Sequence, residues 1–129
     1  MVVPKFRVWL KSLKWMCDVT NISFDSKFVD ICQQGDTERY TEMSVEFDEV
    51  TLMQSTGLKD KNGKEVFVGD IVKMAKDVYS EPTYYEVVRH RGGAYRLESN
   101  QHGCELWLRH ADCEVVGNIY ENPELLEDK

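Results

Sequence analysis

The sequence predicts a mainly β protein whose core is a small curled sheet or an SH3-like barrel, with an N-terminal β extension and a short C-terminal helical turn. Three observations predict this fold: short runs in which apolar and polar residues alternate, turns containing glycine between those runs, and the absence of any long segment with a 3.6-residue period. The chain has 129 residues, which is enough for one core domain with a smaller extension.

The first predicted strand covers residues 5–10. Phe6, Val8 and Leu10 fall on one side of an extended chain, while Arg7 and Trp9 fall on the other. This period of two is typical of a half-buried strand.

The rest of the N-terminal part is also predicted to form strands. Residues 16–24 and 28–32 are β-prone runs, and residues 33–36 form a polar loop between strands. In residues 40–54 the spacing of the apolar residues changes, which predicts a strand, a turn at Asp48-Glu49 and a second strand.

A hairpin is predicted near the middle of the chain. Asn62-Gly63 is the residue pair that favours a type I′ turn, and it leads into a strand over residues 65–68. Gly69-Asp70 ends that strand and precedes another over residues 71–74.

Further short strands complete the prediction. Residues 84–90 alternate, and Gly92-Gly93 turns the chain. Strands are then expected over residues 95–99, 106–109 and 114–120.

The C-terminal tail is predicted to hold one or two helical turns. Asn122 is a suitable N-cap residue, and Pro123 suits the first helical position. The one predicted boundary lies near residues 55–57, so we expect an N-terminal β extension over residues 1–56, which packs on the core or on a neighbouring subunit, and an SH3-like core with its tail over residues 57–129.

Charge and composition limit the classes of function. The net charge is −7, with four basic and no acidic residues in residues 1–17 but nine acidic and two basic residues in residues 18–57. The acidic segment opposes non-specific binding to DNA or to anionic membranes. No apolar run is long enough for a membrane span, and the charged start lacks a signal-peptide core, so we expect a cytoplasmic protein without membrane contact.

Two loops resemble ligand-binding motifs and fail on inspection. Residues 57–64 are rich in glycine and end in lysine, but Gly57 and Gly63 are one residue too far apart for a phosphate-binding loop and Glu65 replaces the required Ser or Thr. Residues 60–63 begin like a calcium loop, but the glycine comes two positions early. We therefore expect no cofactor.

The cysteines and histidines are the residues that could act as metal ligands or as nucleophiles. The four cysteines contain no C-x-x-C pair, so we expect buried thiols in a reducing compartment. These cysteines are Cys17, Cys32, Cys104 and Cys113. A zinc site from His102, Cys104, His110 and Cys113, or a nucleophile from Cys104 or Cys113 with His90, His102 or His110, stays open as a minor alternative. No catalytic residue and no metal ligand is predicted.

A basic cluster supplies one alternative function. A hairpin over residues 89–96 would bring together Arg89, Arg91, Tyr95 and Arg96, which could hold backbone phosphate and a stacked base. Glu86 and Glu98 lie on the same predicted strands, so a structural ladder of charges is the favoured interpretation of these arginines.

The motifs together resemble the YopX family of small proteins encoded by phages and prophages. The resemblance rests on residues 5–9, 52–65, 69–72 and 114–126, at both ends and in the middle of the chain. It implies a mainly β, self-associating protein with an SH3-like core in the cytoplasm of a bacterial host cell, and it supplies no catalytic residues.

Two functions follow as expectations. The first is a non-enzymatic phage or prophage accessory protein that acts through protein contacts, with host or phage proteins and with further copies of itself. The second is a nucleic-acid-binding module that uses the hairpin over residues 89–96.

Overall fold

The structure is a computed structural model that describes residues 5–75, 77–90, 92–99 and 103–127. The described residues contain eleven β-strands and one single-turn α-helix. The strands are β1 Phe6–Leu10, β2 Trp15–Ser23, β3 Phe28–Gln33, β4 Met43–Glu46, β5 Val50–Lys59, β6 Glu65–Phe67, β7 Asp70–Met74, β8 Thr83–Arg89, β9 Tyr95–Glu98, β10 Gly103–Glu105 and β11 Glu114–Asn118, and the helix is α1 Leu106–Arg109.

All strand pairs are antiparallel, and they form two sheets. One sheet has the order β4-β3-β2-β1-β5-β6, and the other has the order β10-β9-β8-β7-β11. The mainly β prediction is confirmed. Of the two predicted forms, the structure has open sheets, because neither sheet closes on itself into a barrel.

The described residues form two compact units, divided between Gln54 and Ser55. The division falls within β5, which pairs with β1 over Val50–Gln54 and with β6 from Ser55 onwards. The role predicted for the N-terminal part, packing on the core or on a neighbouring subunit, stays a prediction.

The first unit is built around β1, which pairs with β2 on one side and with β5 on the other. The predicted burial of Val8 and Leu10 is confirmed, because both lie in a core that also contains Val29 and Ile31 of β3. The rest of the alternation is less regular, because Phe6 is only half-buried and Arg7, predicted for the other side, is buried. The predicted turn at Asp48-Glu49 is a 3₁₀ turn, Phe47–Glu49, between β4 and β5.

The core of the second unit lies on one face of the five-stranded sheet. Tyr85 and Val87 of β8 and Leu97 of β9 are fully buried there, and Leu106 of α1 packs into the same cluster. As predicted from the alternation, Glu86 lies on the opposite face of β8 and is only half-buried.

The turn at Asn62-Gly63 differs from the predicted type I′ turn. Gly63 has a φ of +80°, but Asn62 does not have a positive φ. The backbone N–H of Gly63 donates to the C=O of Asp60 at 3.0 Å, and the N–H of Asp60 donates to the C=O of Lys64 at 2.8 Å. This is a type I turn followed by a left-handed glycine, the usual three-residue hairpin connection.

The predicted strand over residues 106–109 is wrong, because this segment is the helix α1. Within one turn, the helix buries Leu106 and directs Arg109 toward the loop after β7, where its Nη2 donates to the C=O of Ala75 at 2.9 Å. None of the helices in the described ranges is long and apolar enough to cross a membrane.

The C-terminal helical turn is confirmed as a 3₁₀ helix, Pro123–Leu126, with proline at its start. The capping role predicted for Asn122 is wrong, because its side chain makes no cap hydrogen bond. Instead its Oδ1 accepts the backbone N–H of Asn118 at 3.3 Å, and this bond ties the tail to the end of β11.

Candidate contact surface and basic hairpin

The basic hairpin predicted over residues 89–96 is present. Arg89 lies opposite Tyr95, and Val88 lies opposite Arg96, in the last pairs of β8 and β9. The chain turns through Gly93, whose φ of +88° favours glycine. The hairpin thus holds Arg89, Tyr95 and Arg96 in one local structure, while Arg91 lies outside the described residues.

Arg96 is bound to two carboxylates. Its Nε donates to Oε1 of Glu98 at 3.1 Å, and its Nη1 donates to Oε1 of Glu105 on β10 at 2.7 Å. Nε2 of His90 lies 3.1 Å from the same oxygen of Glu98. The hydrogen bond from Arg96 holds the pKa of Glu98 below its usual value. These contacts agree with the interpretation favoured from the sequence, in which the arginines of the hairpin belong to a structural ladder of charges.

A further acid adds negative charge beside this ladder. Glu86 lies directly opposite Glu98 in the pairing of β8 with β9. Burial raises the pKa of Glu86 above its usual value. An incoming phosphate would therefore meet carboxylates on the same sheet face and would have to compete with Glu98 and Glu105 for Arg96.

The thiols do not form a reactive centre with histidine among the described residues. Cys113 is fully buried, and burial together with the charge of Asp60 raises its pKa to about 11. Its Sγ lies 3.2 Å from the C=O of His110, and Nδ1 of His110 lies 2.8 Å from the C=O of Lys59. A buried thiol with a raised pKa is mostly protonated at neutral pH and is a poor nucleophile.

The other members of that predicted cluster are placed as follows. Cys104 is half-buried, and burial raises its pKa. His102 lies outside the described residues. Within the described ranges no group of three or more His, Cys, Asp or Glu side chains is arranged to hold a metal ion.

The loop that resembles a phosphate site is organised around Asp60, whose role the sequence did not reveal. Asp60 is buried, and its Oδ1 accepts the backbone N–H of Asn62 at 2.9 Å and that of Lys64 at 2.8 Å. Its Oδ2 accepts the N–H of Val115 on β11 at 2.8 Å. The N–H groups that would hold a phosphate are thus already occupied by a carboxylate of the protein itself.

Asp60 belongs to a set of three carboxylates that occupy backbone N–H groups on outermost strands. The pairs are Glu49 Oε2 with the N–H of Glu46 on β4 at 2.7 Å, Asp70 Oδ2 with the N–H of Phe67 on β6 at 2.8 Å, and Asp60 Oδ2 with the N–H of Val115 on β11 at 2.8 Å. A strand edge whose donors are occupied is a poor template for the addition of another strand. On each of these three strands, one backbone donor is therefore already occupied.

Exposed apolar side chains lie on α1 and on the β7–β8 loop. We define the apolar patch as Val78, Tyr79, Trp107 and Leu108, whose exposed fractions are 90%, 96%, 65% and 59%. The hydrogen bond from Arg109 to Ala75 places the helix beside the base of the loop. Exposed aromatic and aliphatic side chains of this kind are characteristic of sites of protein contact.

Another exposed aromatic residue has partners within its own unit. Phe24 is 59% exposed, but its ring packs edge to face against Phe6 and Phe47, with centroids 6.1 Å and 5.9 Å apart. This geometry is favourable for aromatic pairs. Phe24 therefore covers the edge of its own core, and we leave it out of the candidate contact surface.

Comparison with known proteins identifies relatives over nearly the whole chain. The family model described as "YopX protein" matches residues 5–127. The structure is similar to protein EF1440 from Enterococcus faecalis, with a TM-score of 0.63, 33% sequence identity, and coverage of 98% of this chain and 100% of that one. It also shares the fold of protein yopX from Bacillus subtilis, with a TM-score of 0.62, 23% identity and the same coverage. The comparison with curated proteins found no match.

Proposed function

This chain belongs to the YopX family, and we propose that it is a phage or prophage accessory protein that acts without catalysis, through protein contacts that include self-association. The observation that carries this proposal is the apolar patch, because four large apolar side chains beside one helix and one loop remain exposed to water. Its partners would be host or phage proteins and further copies of the chain.

The occupied donors on β4, β6 and β11 bear on the kind of contact. Because carboxylates occupy the N–H groups of Glu46, Phe67 and Val115, a partner gains little by adding a strand at these positions. Side chains would then have to supply the affinity. Aromatic side chains such as Tyr79 and Trp107 are the residues that contribute most in such interfaces.

The state of the thiols supports a function without a cysteine nucleophile. Burial raises the pKa of Cys17 and of Cys113 to about 11, so both are thiols rather than thiolates near neutral pH. His110 is the histidine nearest to Cys113 in the chain, and its Nδ1 is directed to the carbonyl of Lys59.

Binding of nucleic acid by the hairpin over residues 89–96 receives less support. Arg96 of this hairpin is already bound to Glu98 and Glu105, so a phosphate would have to displace these carboxylates. A titration with DNA and RNA at ~50 mM salt, where phosphate contacts are strong, tests this alternative. Tight binding that weakens steeply with salt and is lost in Arg89→Ala would favour it over protein contact.

The main experiment compares contact variants in solution and in lysate. A tagged wild-type chain is compared with Trp107→Ser/Leu108→Ser, which removes half of the patch, and with Tyr40→Ser, which removes an exposed aromatic residue in another unit. Tyr40 is 85% exposed, so it is a matched control. We expect the patch variant to lose bound proteins and self-association, while the control retains both. Equal behaviour of all three chains would contradict the proposal.

A further inference from the structure

We propose that Asn62 is a site of spontaneous covalent modification, in which its side-chain amide becomes an acid and the β5–β6 turn loses part of its attachment to β11. The β5–β6 turn is defined as residues Asp60–Lys64. This inference goes beyond the proposed function, because it depends on the turn and not on the apolar patch.

The sequence places a reactive pair at this turn. Asn62 is the only asparagine of the chain that is followed by glycine. A side chain on the following residue hinders the approach of its backbone nitrogen to the asparagine, and glycine has no side chain. The residues that follow the other asparagines are Ile22, Gln101, Ile119 and Pro123.

The pair is accessible to water. Asn62 and Gly63 are both exposed. A Cβ added to Gly63 would meet no atom of the described residues within 4 Å. Neither the side-chain amide nor the backbone nitrogen is therefore shielded by neighbouring groups.

The reaction needs water as its only co-reactant. The backbone nitrogen of Gly63 loses its proton and forms a C–N bond to Cγ of Asn62, while the bond from Cγ to the side-chain nitrogen breaks and ammonia leaves. Water then opens the resulting five-membered imide ring at one of its two carbonyls. Opening at one carbonyl gives aspartate at position 62, and opening at the other gives isoaspartate. This chemistry is one reason that asparagine is thermolabile.

The folded turn restrains the first step. The N–H of Gly63 donates to the C=O of Asp60 at 3.0 Å, and the N–H of Asn62 donates to Oδ1 of Asp60 at 2.9 Å. The first bond holds the proton that the nitrogen has to lose. Both bonds fix the backbone that has to rotate before the nitrogen reaches Cγ. The reaction therefore proceeds from the opened turn, and its rate depends on how often the turn opens.

The products weaken the contact between the turn and β11. Oδ1 of Asp60 also accepts the N–H of Lys64 at 2.8 Å, and Oδ2 accepts the N–H of Val115 at 2.8 Å. In isoaspartate the main chain gains an extra carbon before Gly63, which moves the N–H of Lys64 away from its acceptor. In aspartate a new negative charge lies close to the carboxylate of Asp60 and repels it. Either product disturbs the carboxylate that binds Val115.

Ageing of the full chain, followed by peptide mapping with mass spectrometry, measures the conversion at each asparagine. We expect Asn62 to react before the other asparagines, and at least about tenfold faster in urea than in buffer, because the folded turn is open in only a minor fraction of molecules. Asp60→Ala removes the acceptor oxygens of the side chain and should react faster than the wild type in buffer. The matched control is Asp25→Ala, at an exposed carboxylate in the β2–β3 turn, and it should react at the wild-type rate.

Thermal melting tests the consequence of the modification. The aged wild type should melt at a lower temperature than the fresh chain. Asn62→Gln, whose longer side chain closes a ring far more slowly, should keep its melting temperature through the same ageing. Circular dichroism first establishes that each variant folds, and if Asp60→Ala does not fold, the wild type in buffer and in urea still decides whether the turn controls the rate.

Three results would overturn the proposal. They are an earlier reaction at another asparagine, equal rates at Asn62 in buffer and in urea, and an aged wild type that melts as the fresh chain does. Each of these results leaves the proposed function untouched, because the apolar patch is tested by Trp107→Ser/Leu108→Ser.

Discussion

Oδ2 of Asp60 accepts the backbone N–H of Val115 at 2.8 Å, although the two residues are 55 positions apart in the sequence. A second bond runs parallel to it, from the N–H of Lys61 to the C=O of Cys113 at 2.9 Å. The β5–β6 turn is thereby fixed to the strand β11. A residue at the start of a hairpin turn thus binds a strand that follows much later in the chain.

We expect Asp60→Asn to lower the free energy of unfolding by roughly 1.5–3 kcal/mol, the range for a hydrogen bond to a buried charged group. An amide can still accept from Asn62 and Lys64 through its oxygen, but its NH₂ group would face the N–H of Val115. Urea denaturation measures the loss. Asp25→Asn, at an exposed carboxylate, is the control and should change stability little.

The same carboxylate predicts a dependence on pH. Burial raises the pKa of Asp60, but the backbone hydrogen bonds from Val115, Lys64 and Asn62 outweigh it, and the pKa is lowered. A lowered pKa in the folded state means that the carboxylate stabilises the fold above its unfolded pKa of about 4 and loses this effect as the pH falls further. The stability difference between the wild type and Asp60→Asn should therefore shrink below about pH 4. A difference that stays constant down to acid pH would contradict this role.

Ionisation of Glu86 should change the stability of the fold in the opposite direction to ionisation of Asp60. Its pKa is raised by burial, so ionised Glu86 destabilises the folded state above its unfolded pKa. Glu86→Gln is expected to raise the melting temperature at pH 7 and to have no effect at low pH, where the native side chain is protonated. Thermal melts at both pH values check this, and a lower melting temperature at pH 7 would show that the charge is stabilising.

Two glycines should differ in their tolerance of a methyl group. A Cβ at Gly117 would collide with the Oδ1, Cγ and Cβ atoms of Asn122, whereas a Cβ at Gly103 would meet only the ends of the Glu98 and Arg96 side chains, which can move. We expect Gly117→Ala to cost about 1–3 kcal/mol, the usual cost of overpacking, and Gly103→Ala to cost less. Gly92→Ala, with open space around its Cβ, is the control. Equal losses in all three variants would show that Asn122 adjusts freely.

The cysteines are expected to react slowly in the folded protein. Because burial raises the pKa of Cys17 and Cys113 to about 11, few thiolates are present at pH 7.5. Alkylation with iodoacetamide, followed by mass spectrometry, should modify both cysteines much faster in urea than in buffer. Rapid modification of Cys113 in the folded state would revive the enzyme hypothesis.

The strands could be predicted from the sequence where alternation is long enough to identify a buried face. In β8 the buried residues Tyr85 and Val87 alternate with partly buried ones, and this regular pattern follows directly from strand geometry. In β1 Val8 and Leu10 are buried as the alternation predicts, but Arg7 between the predicted core positions is buried as well. The segment Leu106–Arg109 has only four residues, too few to distinguish a strand from one helical turn. Its helix depends on the contact from Arg109 to Ala75, which lies 34 residues away.

The basic hairpin was visible in the sequence, but the candidate contact surface was not. The sequence predicts a ladder of charges that includes Arg96 and Glu98, because both residues lie on the predicted strand over residues 95–99. Asp60 could not be recognised as a buried acceptor, because Asn62-Gly63 suits more than one turn type and the third acceptor contact comes from Val115. Trp107 and Leu108 lie in a segment predicted as a strand, and large apolar side chains are usually buried, so the sequence gives no sign that they are exposed.

Sedimentation equilibrium over a range of concentrations measures whether the apolar patch of this chain is a surface for protein contact. We expect the wild-type mass to rise above the 15.0 kDa of one chain at tens of micromolar, and the mass of Trp107→Ser/Leu108→Ser to remain at that value. A wild-type chain that stays at 15.0 kDa throughout would contradict self-association, and a patch variant that associates as the wild type does would contradict the assigned surface.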